Sequence, residues 1–165
     1  MKVCLESKSE EQTRYLGKIL GESLPAGSLI TLRGDLGVGK TVLAQGLGEG
    51  LGIEDSICSP TFTILQIYEE GRVPFYHFDV YRIADPEEMY EVGFEDYFYG
   101  SGITLVEWAD LIGELLPEER LEITIEKDRD LGFDYRWITL ESSDERVDVE
   151  TIESLFRNFF DKEGE

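Results

Sequence analysis

The sequence predicts an α/β fold in three layers, a central mixed and partly parallel sheet flanked by helices, and three observations predict it. A short apolar stretch, Leu29 to Leu32, runs into a glycine-rich loop and then into a helix beginning around Lys40. A second, nearly continuous apolar run from Gly102 to Val106 has the composition of a parallel strand covered on both faces. Stretches of helical period and of alternating period are interleaved with these along the chain.

The loop between strand and helix is Gly34-Asp35-Leu36-Gly37-Val38-Gly39-Lys40-Thr41, which matches G-x-x-x-x-G-K-[ST], the phosphate-binding loop of P-loop NTPases. Backbone N–H groups wrap around phosphate oxygens only where the chain turns tightly, and glycine permits the positive φ such a turn demands. The following helix points its unpaired N–H groups and the positive end of its dipole at the same anion. Asp35, Leu36, Gly37, Val38, Gly39, Lys40 and Thr41 are therefore the candidate nucleotide-contacting residues of the loop. Lys40 is expected to reach the β- and γ-phosphates, and the Thr41 hydroxyl to ligate Mg²⁺.

Composition narrows the partners. With 165 residues, 41% of them hydrophobic, the chain is long enough for one domain with a core of its own, expected over residues 1–160 with a disordered tail at 161–165. The formal net charge is −21, from 36 carboxylates against 15 Lys and Arg. That balance lacks the broad basic surface from which nucleic-acid binders draw their affinity, so strong direct binding of nucleic acid is not expected. Cys4 and Cys58 match no metal-ligand spacing and are expected to be reduced and structural. Glu6, Lys8, Glu10 and Glu11 interrupt any leader-like apolar region, and no stretch approaches the roughly 20 apolar residues of a membrane span, which predicts a cytoplasmic protein.

Taken in order, Lys2 to Glu6 alternates as an edge strand. Ser9-Glu10-Glu11-Gln12 resembles a capping box, and Leu16, Ile19, Leu20 and Leu24 follow at helical spacing until Pro25. Thr13 is expected to face away from that stripe, either to solvent or toward a nucleotide. The helix from Lys40 runs to about Leu51 and is stopped by Gly52; Gly46, Gly48 and Gly50 imply close packing or a frayed end. Thr61 to Tyr68 and Val73 to Tyr81 read as a hairpin about the turn Glu69 to Arg72. Thr61 and Thr63 are filler at the mouth of a strand or, in a nucleotide-binding protein, sensors of the γ-phosphate and its metal. Asp79 stands near the end of the return strand, where a carboxylate orients water or metal, with Arg82 nearby to pair with it or to stabilise developing charge. His77, the single histidine, is expected to be a packed strand residue.

Asp85 caps, and Pro86 starts, an aromatic helical stretch broken at Gly93, which either covers the sheet as a lid or packs as core. Glu107 falls at the carboxyl end of the buried run, where ligands sit in α/β folds, and is preferred over Asp79 as the second metal carboxylate. Trp108 follows it. Asp110 to Leu116 reads as a short helix, Leu121 to Glu126 and Tyr135 to Leu140 as antiparallel strands, and Val149 to Phe160 as an amphipathic helix burying Ile152, Leu155, Phe156 and Phe159.

The phosphate loop, Ser59-Pro60-Thr61-Phe62-Thr63, His77-Phe78-Asp79-Val80-Tyr81-Arg82, Glu91-Val92-Gly93 and Val106-Glu107-Trp108 stand in the order and spacing of the TsaE (YjeE) family, which the chain resembles over nearly its whole length. The resemblance implies a small Mg²⁺-dependent ATPase that supports threonylcarbamoyl modification of adenosine next to the tRNA anticodon, acting with TsaB and TsaD. It would place Mg²⁺ on Thr41 and Glu107, phosphates on Gly37 to Thr41, functional roles on Thr61, Asp79 and Trp108, and Arg136 near the nucleotide base. Val42, Cys58 and Ala109 depart from residues frequent in the family, and none is a proposed ligand.

Three rival readings fare differently. A GTPase needs an Asn-Lys-x-Asp guanine motif, and Asn158 is the sole asparagine. A small-molecule kinase needs an arginine-rich lid, whereas residues 85–99 are acidic and aromatic. A nucleotide-gated interaction module with incidental hydrolysis remains open.

Overall fold

The computed structural model describes residues 1–35, 37–60 and 62–163, with side chains up to residue 160. Its strands are β1 (Lys2–Ser7), β2 (Leu29–Arg33), β3 (Leu65–Tyr68), β4 (Phe75–Asp79), β5 (Ile103–Glu107), β6 (Leu121–Lys127) and β7 (Arg136–Ser142). They form one sheet in the order β1-β7-β6-β2-β5-β4-β3. The inner four, β6, β2, β5 and β4, run parallel, while β3, β7 and β1 join antiparallel. This is the expected three-layer P-loop architecture, and every residue of β5 is buried, as its continuous apolar run requires.

One face of the sheet carries α1 (Glu10–Ser23), α2 (Lys40–Leu51) and α5 (Val149–Glu163) over a core that includes Ile30, Leu32, Leu105, Ile123 and Leu140. The other face is covered in part by α3 (Met89–Val92) and α4 (Phe94–Phe98), whose Met89, Phe94 and Phe98 pack with Phe78 and Val106. Gly93, at φ 74°, makes the break between them. The aromatic stretch is therefore core against the sheet. Ser9 caps α1 by accepting from the Gln12 amide at 3.2 Å, while the Gln12 side chain accepts from the Lys8 N–H at 2.8 Å, one residue further back than a capping box reaches.

Several boundaries differ from expectation. β3 begins at Leu65 rather than at 61, because residues 62–64 turn: Thr63 and Ile64 both donate their N–H to Pro60 O, and Ile64 sits at φ 67°. Ala109–Leu115 is a kinked 3-10 helix. α5 continues to Glu163, and residues 164–165 of the expected tail lie outside the described residues. Leu155 on that helix is 46% exposed, whereas Ile152 and Phe156 are buried and Phe159 stacks on Tyr15 of α1 at 3.9 Å. Both cysteines are free and exposed. No helix among the described residues is long and apolar enough to cross a membrane.

The turn between β7 and α5 is held by Asp144, buried, which accepts from Arg146 Nη2 at 2.8 Å and Nε at 3.1 Å, while Arg146 also reaches Ala26 O. The Arg146 guanidinium holds the Asp144 carboxyl below its ordinary value of 3.8. A carboxyl whose folded pKa lies below its unfolded one stabilises fully above the unfolded value, and loses that contribution as pH falls through the folded one. Asp144→Asn is expected to lower stability by about 1–2 kcal/mol at neutral pH. In denaturant titrations across pH, its deficit against the parent should shrink below about pH 4.

Candidate nucleotide site

The parallel strands β2, β5 and β4 bring three segments to one edge of the sheet: the phosphate loop after β2, Glu107 at the end of β5 and Asp79 at the end of β4. Carboxyl ends of parallel strands are where α/β folds bind ligands. Within the loop, Gly37 (φ 77°) and Gly39 (φ 117°) occupy the left-handed region that a side chain disfavours, and Gly39 is the N-cap of α2. Gly34 has no room for a Cβ, which would stand 2.6 Å from Val38 Cγ1 and 2.9 Å from Ile125 O. Such a backbone forms the concave turn that a phosphate requires.

Lys40, Asp79 and Glu107 are all buried at this edge, while Asp35 and Thr41 are exposed. Lys40 Nζ lies 4.4 Å from the centroid of the Trp108 ring, and Trp108 also contacts Tyr81. Asp79 is the register partner of Glu107. Its Oδ1 accepts from the Tyr81 N–H at 3.0 Å and its Oδ2 from Ser59 Oγ at 3.4 Å, which ties the 59–60 segment to β4. Arg82 stacks on the Phe62 ring at 4.3 Å. Leu36 and Thr61 lie outside the described residues.

Thr13 corrects the expectation that it faces away from the buried stripe. It is 3% exposed, and its Oγ1 meets Ser7 Oγ at 2.7 Å. The reason is that α1 lies across the end of β1, so its first turn is covered by the strand it follows. Thr13 nonetheless borders a small cleft with Gly37, Val38, Gly39 and Arg136. Arg136 donates through Nε to Val38 O at 2.7 Å and through Nη1 to Phe133 O and Tyr135 O, so its guanidinium braces the phosphate loop from β7. The resemblance that put Arg136 near a nucleotide thus meets a residue already touching the loop.

Two positive-φ residues other than glycine occur in the described chain, Ile64 and Trp108, and both flank this site. Trp108 (φ 63°) directly follows Glu107, and Ile64 presents the carbonyl that accepts the Asp79 N–H at 2.8 Å. Backbone strain of this kind costs on the order of 1–3 kcal/mol per residue and concentrates at functional sites.

The donor set suits Mg²⁺. That ion takes hard oxygen ligands, binds through one or two carboxylates plus nucleotide phosphates, and keeps several waters. Among the described residues no group of three or more His, Cys, Asp or Glu side chains converges as a self-sufficient metal cage. An oxygen set of Thr41 and Glu107 beside a phosphate cradle fits an ion that arrives with its nucleotide.

Two further residues reach the site through pairings that periodicity does not disclose. β6 ends at Lys127, whose Nζ would stand 3.9 Å from a Cβ on Gly37, a proximity created because β6 runs parallel to β2. His77, buried as expected, also meets Glu107 Oε2 through Nε2 at 2.7 Å. The signal for the second contact was the alternation of β4, which puts His77 and Asp79 on one face; the pairing of β4 with β5 was the missing information. Beside the loop, a groove of about 790 Å³ with mixed polar and apolar walls runs along β2 and β6, lined by Thr31, Arg33, Trp108, Leu116, Ile125 and Lys127 among others.

Comparison with known proteins gives this geometry its relatives. The family described as "Threonylcarbamoyl adenosine biosynthesis protein TsaE" matches residues 7–134. The chain is 45% identical over 139 residues to the "tRNA threonylcarbamoyladenosine biosynthesis protein TsaE" of Bacillus subtilis, covering 84% of this chain and 85% of that one. It is 40% identical over 119 residues to the protein of the same name from Treponema pallidum, covering 72% and 87%. The crystal structure of YdiB from Bacillus subtilis superposes with a TM-score of 0.79 at 36% identity, over 96% of both chains. A phosphate loop braced by Arg136 and faced by two buried carboxylates thus occurs in a chain whose match spans the loop, both carboxylates and Trp108, and the chain belongs to the TsaE family.

Proposed function

We propose that the protein binds and hydrolyses ATP with Mg²⁺, weakly by itself, and supports threonylcarbamoyl modification of tRNA adenosine next to the anticodon by acting on TsaB- and TsaD-type partners in the cytoplasm. The observation that carries the ATPase reading is the buried pair Asp79 and Glu107, in register at the strand ends beside a glycine-shaped phosphate loop. The pathway rests on the relatives' names.

Each residue has a role in this reading. The N–H groups of Gly37 to Thr41 hold the β- and γ-phosphates, and Lys40 places its ammonium on them. Thr41 and Glu107 would hold Mg²⁺, which when bound neutralises charge developing on the phosphate oxygens. Asp79 orients the attacking water, and Thr61 belongs to the segment that responds to the γ-phosphate. Thr13 and Arg136 border the cleft beside Gly37 to Gly39, toward the base, and Trp108 shields the phosphate end. A protein of net charge −21 would reach tRNA through proteins rather than bind it strongly itself.

The test is ATP hydrolysis by the purified chain, alone and with its TsaB and TsaD counterparts, with Lys40→Ala as the blank. Turnover that rises at least tenfold on adding the partners and vanishes in the variant is the expected result. Equal turnover with and without partners, or phosphoryl transfer to an added metabolite, would point instead to a stand-alone ATPase or a kinase.

A further inference from the structure

We infer that His77 is a positioning residue for Glu107: its imidazole holds one carboxylate oxygen so that the other is left for the metal ion and its waters. The inference rests on the reading of Glu107 as a Mg²⁺ carboxylate. His77 Nε2 and Glu107 Oε2 are 2.7 Å apart, with side chains 0% and 4% exposed, so water does not compete for the contact. The other ring nitrogen, Nδ1, is buried and has no hydrogen-bond partner among the described residues.

That asymmetry sets the tautomer. A proton on Nδ1 would leave a buried N–H donor with no acceptor among the described residues, and orphaned buried N–H groups are rarer than under-satisfied acceptors. The proton therefore sits on Nε2 and is donated to Glu107. Phe75, two residues earlier on the same face of β4, stacks on the imidazole at 5.7 Å with the rings 12° apart, which limits ring rotation. Parallel pairing of β4 with β5 sets His77 opposite Leu105, diagonal to Glu107, and Asp79 directly opposite Glu107. A long carboxylate side chain free to choose rotamers would pay that entropy on binding metal; one anchored through Oε2 has already been ordered. Hydrogen-bond partners of metal ligands commonly change metal affinity or activity by 10–100-fold when removed.

The test measures affinity for a fluorescent, non-hydrolysable ATP analogue in EDTA and in Mg²⁺, with the full chain. His77→Leu should bind the analogue as the parent does in EDTA, yet lose about tenfold or more of the gain that Mg²⁺ confers. His77→Gln, whose amide N–H can take the place of Nε2–H, should recover most of it. A Leu variant with the parent's Mg²⁺ gain, a loss of equal size in EDTA and Mg²⁺, or Gln and Leu variants equally impaired would each overturn the inference. Glu107→Gln separates this from the reading beneath it. If that variant keeps the Mg²⁺ gain, Glu107 is not a metal carboxylate; if it loses the gain while His77→Leu does not, the positioning role alone falls. Should the buried substitutions unfold the chain, the parent still decides. His77 is the single histidine, so ¹⁵N-histidine labelling gives one imidazole. Protonated Nε2 and bare Nδ1, with Nε2 shifting on addition of Mg²⁺ and the analogue, are expected, and a ring protonated on Nδ1 would overturn the assignment.

Discussion

Lys40→Ala is expected to lower Mg²⁺-dependent ATP turnover, with partners present, by about 10²–10³-fold, the loss seen when one preorganised group facing developing charge is removed. The fold should survive. The loop's shape depends on Gly37, Gly39 and the Arg136 contact to Val38 O, none of which uses the lysine side chain. In the structure the Lys40 ammonium lies over the Trp108 ring, a contact worth about 0.5–2 kcal/mol. A single phosphate charge at about 4 Å would attract the same ammonium by about 4 kcal/mol at an effective dielectric of 20, and a nucleotide brings several charges. Phosphate therefore wins the ammonium from the ring. Trp108 emission, read in a Trp137→Phe background, should change on ATP addition to the parent and stay unchanged in Lys40→Ala. Retention of more than about a tenth of parental turnover would remove Lys40 from the catalytic role assigned to it.

Gly46→Ala is expected to destabilise the protein by about 3 kcal/mol, although alanine exceeds glycine in helix propensity by about 1 kcal/mol. Packing decides the sign. A Cβ on Gly46 of α2 would stand 2.0 Å from Arg14 O of α1, and one on Gly50 2.2 Å from Lys18 O. Facing them, Cβ atoms on Gly17 and Gly21 of α1 would meet Leu43 O and Leu47 O at 2.3 Å. Two glycine pairs spaced by four residues let the helix backbones touch, and a backbone carbonyl cannot yield as a flexible side chain can. For a chain of this size the loss corresponds to a Tm lower by about 6–12 °C. Gly113→Ala is the control, since a Cβ there meets nothing within 4 Å and its effect should stay within about 0.5 kcal/mol. A Gly46 variant as stable as the Gly113 one would mean that the helices can separate at little cost.

The same glycines mark where reading the sequence stops. Gly46, Gly48 and Gly50 pointed equally to close packing and to a frayed end, because a missing side chain does not say what fills its place. The partner surface, Gly17 and Gly21, lies on another helix. Thr13 is buried for a related reason: a helical stripe locates the face turned to the sheet, and Ser7 of β1, which covers the first turn, lies outside that pattern.

Local chemistry determined much by itself. The phosphate loop, the bounds of α2 and its Gly52 stop, the Asp85-Pro86 helix start and the buried β5 all follow from turn geometry, capping and hydrophobic period, interactions that span only a few residues. Glu107 was placed at a strand's carboxyl end on the same grounds. Strand order was left to the tertiary structure, because period identifies a strand without naming its neighbours. That order set Asp79 opposite Glu107, gave Glu107 the His77 contact, carried Lys127 to the loop and drew Arg136 onto Val38 from 98 residues away. Contacts made by long loops closing through the core leave no periodic trace along the chain, and they decide which carboxylate is anchored and which loop is braced.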